Sequence, residues 1–222
     1  MGQGPRIPTG IATLDGAEGG LDPRRLYLIV GEEKSGRTTL ALQAAAIASG
    51  RGLSVLWIDC AGRLHYARLL SVARHWGGDL SRIRVATPDT FSEQLRLLVW
   101  ACEYAEAPGL IVVDDFTYLH RVEALGDPSR DKPLYTRLTL QAAYLKEATR
   151  TRDITGIVVA DIHERPGQGP QQPIANTIVS YYSDLRLWMR TAGPGRKLLT
   201  VEGEGRVGNI LLRVHDGGLG EV

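Results

Sequence analysis

The sequence is poor in several residue types, and each shortage excludes a class of protein. Its 222 residues contain only two cysteines, Cys60 and Cys102, with no C-x-x-C pair and no histidine partners at zinc spacing. A disulfide framework and a structural zinc site are therefore unsupported. No apolar run approaches the roughly 18 residues of a membrane helix. Because a basic-then-apolar leader is also missing, we expect a cytoplasmic protein without a membrane span.

Neither sign of charge dominates the chain. Its 26 basic and 25 acidic residues leave a formal net charge of +1. No global field draws such a chain to nucleic acid, so any contact of that kind depends on a local patch. The hydrophobic content of 43% can bury one sizeable core, and the composition does not change between the two halves. The sequence therefore predicts a single domain over residues 1–222, with residues 1–5 as a short disordered lead.

The most informative stretch leads from an apolar segment into a glycine-containing loop. Gly31, Gly36 and Thr38 fit the phosphate-loop pattern G-x-x-x-x-G-K-[ST], in which backbone N–H groups converge on phosphate oxygens. Arg37 stands where the pattern has a lysine. The Ala/Leu-rich stretch from Thr38 to Ser49 predicts a helix whose N-terminus faces the anion. The residues predicted to bind a nucleotide are Gly31, Lys34, Ser35, Gly36, Arg37, Thr38 and Thr39.

Two buried apolar segments farther along each end in an acid, at Asp59 and Asp114. A hydroxyl at the end of a phosphate loop and an acid on a neighbouring strand are the groups that hold Mg²⁺ beside a nucleotide. Thr38 and Asp114 are therefore the predicted metal residues. Asp115 is better explained as a turn acid, and Lys34 could reach either a phosphate or solvent.

The rest of the chain alternates strands with helices. Helices are predicted at about 64–76, 89–106 and 134–150, with strands at 83–86 and 154–162. Three further strands follow without helices between them, at 185–190, 197–202 and 209–214. The pattern predicts an α/β fold whose mainly parallel central sheet is flanked by helices and has an antiparallel C-terminal edge.

Two long connections, at 116–133 and 163–176, are polar and rich in proline and glycine. Basic residues in or beside them could reach a nucleic-acid backbone, and these are Arg121, Arg130, Lys132, Arg137 and Arg165. From composition alone, solvated loop charges explain these residues equally well.

With these elements in order, the chain resembles the RecA superfamily of recombination ATPases, especially archaeal RadA and its short RadB-type paralogues. The segments that carry the resemblance are Arg6-Ile7-Pro8-Thr9-Gly10, the phosphate loop, Trp57-Ile58-Asp59, the Walker-B-like Leu110 to Asp114, and Asp184-Leu185-Arg186-Leu187. The resemblance implies a RecA-like P-loop NTPase core, ATP and Mg²⁺ as ligands, and DNA contact through the two long connections.

The chain departs from the family pattern at three places. Arg37 replaces the loop lysine, Ala61 replaces the glutamate that orients the attacking water, and Asp161-Ile162 replaces an Asn-Gln pair that senses the γ-phosphate. A guanidinium keeps the positive charge but has a different shape, so nucleotide binding can survive a loss of turnover. Spacing favours none of the residues that could serve as a substitute base, which are Glu32, Glu33, Asp59 and His163.

These features favour a recombinase paralogue that binds ATP with slow or no hydrolysis, binds single-stranded DNA weakly and assists DNA repair by homologous recombination. One alternative is a DNA-stimulated ATPase with an unusual base, and another is a docking partner of the main recombinase with a vestigial nucleotide site. A RadA-type recombinase or another paralogue is the expected partner. Because only Met1 to Pro5 precede Arg6, there is no room for the linker that joins RadA-like subunits, and we expect no long filaments of this protein alone.

Overall fold

A computed structural model describes residues 4–163, 172–173, 175–203 and 208–222. The helices in this part of the chain are α1 (Ala12–Glu18), α2 (Arg37–Gly50), α3 (Tyr66–Trp76), α4 (Phe91–Tyr104), α5 (Tyr118–Glu123), α6 (Pro128–Thr151) and α7 (Asn176–Tyr182). The strands are β1 (Leu26–Gly31), β2 (Ser54–Asp59), β3 (Ile83–Ala86), β4 (Gly109–Asp114), β5 (Ile154–His163), β6 (Gln172–Pro173), β7 (Leu185–Gly193), β8 (Arg196–Glu202), β9 (Asn209–His215) and β10 (Gly218–Glu221).

One sheet has the strand order β10-β9-β8-β7-β1-β5-β4-β2-β3, and β6 pairs with β5. The strands from β7 to β3 in this order are parallel to their neighbours, since helices connect them. The strands β8, β9 and β10 follow β7 along the chain and are antiparallel to their neighbours. The predicted α/β fold, with a mainly parallel sheet and an antiparallel C-terminal edge, is confirmed.

Helices bury both faces of the sheet. Every residue of the central strand β1 is buried, and successive side chains point to opposite faces. Tyr27 and Ile29 join the core beneath α2 and α3, whereas Leu28 and Val30 join the core beneath α4 and α6. This two-sided burial explains why β1 is a continuous apolar run in the sequence.

The prediction of a loop at 116–133 is wrong, because this segment contains α5 and the first turns of α6. Asp127 caps α6 by accepting a hydrogen bond from the N–H of Ser129 at 2.9 Å. Asp131 accepts from the N–H groups of Leu125 and Gly126 and fixes the turn between the two helices. Pro128 stands at the first position of α6, where proline is common, whereas Pro133 lies inside the helix.

The sequence patterns also failed to identify α1 and β10. Asp15, within α1, orders the preceding turn by accepting hydrogen bonds from the N–H groups of Thr9 and Gly10. Buried Gln43 on α2 then connects this turn with β10, since its Nε2 donates to the carbonyl of Thr9 at 2.7 Å and its Oε1 accepts from the N–H of Leu219 at 2.8 Å. Such contacts between distant segments have no local signature.

The second connection predicted at 163–176 lies almost wholly outside the described residues, as does Arg165. Its predicted end overlaps α7, which begins at Asn176. Among the helices of the described ranges, none is long and apolar enough to cross a bilayer.

Candidate nucleotide site

The glycine loop leaves β1 at the carboxyl edge of the parallel strands, and α2 begins directly after it. Gly36, the N-cap of α2, has a φ of +99°, which lies in the left-handed region that glycine adopts without strain. A side chain at Gly31 would collide with the carbonyl oxygen of Met189 on β7. The backbone path therefore requires glycine at both ends of the loop.

The loop opens on a cleft of about 390 Å³. Six of the seven predicted nucleotide residues line it, from Lys34 to Thr39, and Gly31 lies at the root of the loop. The first N–H groups of α2 have no partners within the helix and carry its positive dipole end. The hydroxyl of Ser35 is fully buried and has no hydrogen-bond partner among the described residues. These donors together suit a bound phosphate.

The structure brings the predicted metal residues, Thr38 and Asp114, together. Burial raises the pKa of Asp114 to about 7; the neighbouring Thr38 hydroxyl and the charge of Arg37 oppose this shift, and the charge of Asp115 adds to it. A buried acid beside a hydroxyl and a phosphate-binding loop fits the oxygen donors that Mg²⁺ prefers. Thr38 and Asp114 are thus the groups that would hold the ion, which neutralises phosphate charge when bound.

Arg37 takes part in a chain of ion pairs. Its Nη2 lies 3.2 Å from Oδ1 of Asp161, and the two side chains are only 12% and 21% exposed. Oδ2 of Asp161 lies 3.7 Å from Nη1 of Arg121, whose Nη2 lies 3.0 Å from Oδ2 of Asp115. Asp115 also accepts a hydrogen bond from the N–H of Thr117, as expected of a turn acid. We call Arg37, Asp161, Arg121 and Asp115 the ion-pair chain.

Lys197 on β8 is a site residue that the sequence patterns did not reveal. Its Nζ donates to the carbonyl oxygen of Lys34 at 2.6 Å and to Oγ1 of Thr191 at 3.2 Å. The N–H of Thr191 donates to Oε1 of Glu32 at 2.8 Å. The C-terminal strands therefore hold the loop, in which Lys34 has an unusual φ of +61°. Because Lys197 is 163 positions from Lys34, no local spacing could have identified it.

The comparison with known proteins agrees with this geometry. The chain matches the RecA N-terminal domain family over residues 5–207. It belongs to the RecA superfamily. Its relatives include proteins named DNA repair and recombination protein RadB: that of Pyrococcus horikoshii is 27% identical over 98% of this chain and 95% of the relative, and that of Thermococcus onnurineus is 30% identical over 79% and 77%.

A solved structure described as the crystal structure of the RadB recombinase superposes with a TM-score of 0.79 and 27% identity, over 97% of this chain and 99% of that chain. The Protein RecA of Aquifex pyrophilus is 31% identical over 84% of this chain, but the chain spans only 55% of that protein. The predicted resemblance to RadA- and RadB-like members of the RecA superfamily is thus confirmed.

The residues considered as a substitute for the family's catalytic glutamate differ in their surroundings. The carboxylate of Asp59 accepts two backbone hydrogen bonds in the turn after β2, and Glu32 accepts one from β7. Glu33 lines a second cleft of about 330 Å³ beside the ion-pair chain. The side chain of His163 lies outside the described part. Of the three described carboxylates, Glu33 is thus the one that lines the second cleft.

The predicted DNA-contacting residues within the described ranges are divided between two helices. Arg121 on α5 belongs to the ion-pair chain and is 34% exposed. Arg130 and Lys132 are exposed on the first turns of α6. Arg137 lies farther along α6 and donates to the hydroxyl of Ser92 at 3.0 Å. Contact with DNA through these residues stays a prediction.

Proposed function

We propose that this chain is a RadB-like recombinase paralogue that binds Mg-ATP, hydrolyses it slowly or not at all, binds single-stranded DNA weakly and assists homologous recombination and DNA repair. The observation that carries the proposal is the cleft at the start of α2, which is lined by the first turn of the helix, the buried Ser35 and Thr38, with Asp114 beside Thr38. The process is supported by the relatives named as DNA repair and recombination proteins.

Slow turnover is supported by the residues at positions 61 and 37, where the family has groups that promote ATP hydrolysis. Ala61 has no group that could activate water, and the loss of one positioned general base typically forfeits about 10²–10⁴ in rate. Arg37 pairs with Asp161, and a planar guanidinium can hold phosphate without matching the transition state. A second candidate is a DNA-stimulated ATPase in which Glu33, which opens on the second cleft, acts as the base.

Nucleotide binding is tested by calorimetric titration with Mg²⁺ and a non-hydrolysable ATP analogue. We expect Thr38→Ala to weaken binding about tenfold, because a hydroxyl beside a charged site is lost. Thr136→Ala is the matched control, since that hydroxyl donates only to the backbone of α6. Equal affinity of Thr38→Ala and wild type would contradict binding at this loop.

Turnover is then measured with and without single-stranded DNA. Slow hydrolysis under both conditions supports the paralogue proposal. Strong stimulation by DNA, lost in Glu33→Gln, would support the second candidate instead.

We propose a RadA-type recombinase as the partner, docked at the free edge of the sheet. β3 is the last strand of the described sheet, and an apolar groove of about 370 Å³ lies between it and α4. Val85 and Trp100, which line the groove, are 44% and 45% exposed. An open strand edge beside an apolar groove suits an extended segment that adds a strand and inserts an aromatic side chain. We propose that the linker before the core of RadA-like recombinases, which the resemblance implies joins their subunits, supplies this segment.

A further inference from the structure

Two of the three places where the chain departs from its family pattern contact each other. Arg37 replaces a lysine and Asp161 replaces an amide, and their side chains form an ion pair of 3.2 Å. Asp161 lies on β5 directly beside Gly31, its pairing partner on β1. The acid is therefore held by the sheet at the root of the phosphate loop.

The Arg37 guanidinium is only half satisfied. Its Nη2 contacts Asp161, whereas its Nη1 is buried and has no hydrogen-bond partner among the residues that the structure describes. A buried charged donor without an acceptor is strongly unfavourable. Arg37 lines the phosphate cleft and Asp161 lines the second cleft, so the guanidinium lies between the two. A phosphate oxygen of a bound ligand could supply an acceptor for Nη1.

Asp161 is itself held in place from the other side. Its Oδ2 lies 3.7 Å from Arg121, and Arg121 also contacts Asp115 at 3.0 Å. The two positive and two negative side chains of the ion-pair chain balance one another. Arg121 thus helps to fix the orientation of the Asp161 carboxylate that faces Arg37.

We propose that Asp161 is a positioning residue of the nucleotide site: it holds one end of the Arg37 guanidinium so that Nη1 donates to a phosphate oxygen of the nucleotide. The inference rests on the proposed binding of Mg-ATP. It makes Arg37 and Asp161 a matched pair, because a planar fork can bridge two acceptors at fixed geometry. A lysine at position 37 has a single ammonium, for which the carboxylate would compete with the phosphate.

The test is a double-mutant cycle with Asp161→Asn, Arg37→Lys and the double variant. The dissociation constant of the Mg²⁺ complex of a non-hydrolysable ATP analogue is measured for each full-length chain. We expect Asp161→Asn to weaken binding about tenfold when residue 37 is arginine, since the guanidinium loses its charged anchor. In the Arg37→Lys background the same change should leave binding unchanged or tighten it. If Asp161 had only a structural role, its replacement would weaken nucleotide binding in both backgrounds.

Asp153→Asn is the matched control. Asp153 lies just before the start of β5, whereas Asp161 lies near the end of that strand. Asp153 pairs with Arg24 at 2.7 Å, so its replacement should leave the nucleotide affinity at the wild-type value. Tighter binding by Asp161→Asn in the Arg37 background would show competition and overturn the inference, as would an equal loss in both backgrounds. A wild-type chain that binds no nucleotide would overturn the proposed function as well, before any variant is compared.

Discussion

Asp161 and Lys197 approach the phosphate loop from opposite sides of β1. Asp161 lies on β5, which pairs with one edge of β1, and Lys197 lies on β8, beyond β7 on the other edge. Asp161 contacts the side chain of Arg37, whereas Lys197 donates to the backbone carbonyl of Lys34. The loop is thus supported by the two halves of the sheet and not by its own sequence alone.

Replacing Lys197 by methionine removes both of its hydrogen bonds but keeps the aliphatic stem that packs beside Gly36. We expect the affinity for Mg-ATP to fall about five- to tenfold, because the Lys34 carbonyl loses its charged donor and the cleft loses a positive charge. Isothermal titration measures the effect. Lys132→Met, on the exposed face of α6, serves as the control, and an unchanged affinity for Lys197→Met would contradict the prediction.

Local spacing was enough to predict the residues whose roles depend on their immediate neighbours. Gly31, Gly36 and Thr38 belong to one loop, and Asp114 ends an apolar strand, so each has a recognisable sequence context. The role of Lys197 depends on which strands are adjacent in the sheet. Strand order is set by long-range packing, which a single sequence does not display.

Elements were predicted best where burial is complete. β1, β2 and β4 are buried along their whole length and appear as continuous apolar runs. α5 and the start of α6 were missed because the segment is polar and contains Pro128 and Pro133. The caps and turns that order it are made by aspartates, and these residues are equally common in loops.

The edge strand β3 yields a prediction about association. Trp100→Ala should weaken capture of a purified archaeal RadA-type recombinase about tenfold or more, as expected for an exposed aromatic anchor, and Val85→Lys should do the same by placing a charge in the groove. Surface plasmon resonance gives the affinities. Leu140→Lys changes a similarly exposed apolar residue on α6 and should bind normally. If all three variants bind alike, the recombinase docks elsewhere.

At the scale of the molecule, the described residues form one sheet between two apolar cores, with α5 covering part of one of them. His120 on α5 is buried between the rings of Phe91 and Tyr135, at centroid distances of 5.6 Å and 4.6 Å. Neither ring nitrogen of His120 has a hydrogen-bond partner within the described ranges. The histidine is therefore accommodated as a neutral, apolar ring.

Burial lowers the pKa of His120 below its usual 6.5; Asp131 and Glu123 oppose this shift and Arg121 adds to it. The unfolded chain therefore takes up a proton near pH 6.5, whereas the folded chain does so only at lower pH. The contribution of neutral His120 to the free energy of unfolding is fully present above pH 6.5. It is lost as the pH falls, by at most about 1.4 kcal/mol per pH unit.

His120→Phe should remove this part of the pH dependence. Urea unfolding at pH 7.5, 6.5 and 5.5 measures it, with exposed His65→Phe as the control. A wild-type pH profile in His120→Phe would show that another group is responsible.

The contact of Gln43 with Thr9 and Leu219 has a consequence for synthesis of the chain on the ribosome. Gln43 lies in the helix that begins at the phosphate loop, yet one of its two partners is translated 176 residues later. The strands that flank β1 are also made long after β1 itself. The loop therefore leaves the ribosome early but acquires its supporting contacts late, so we expect a nascent chain to bind nucleotide only after β8 has been made.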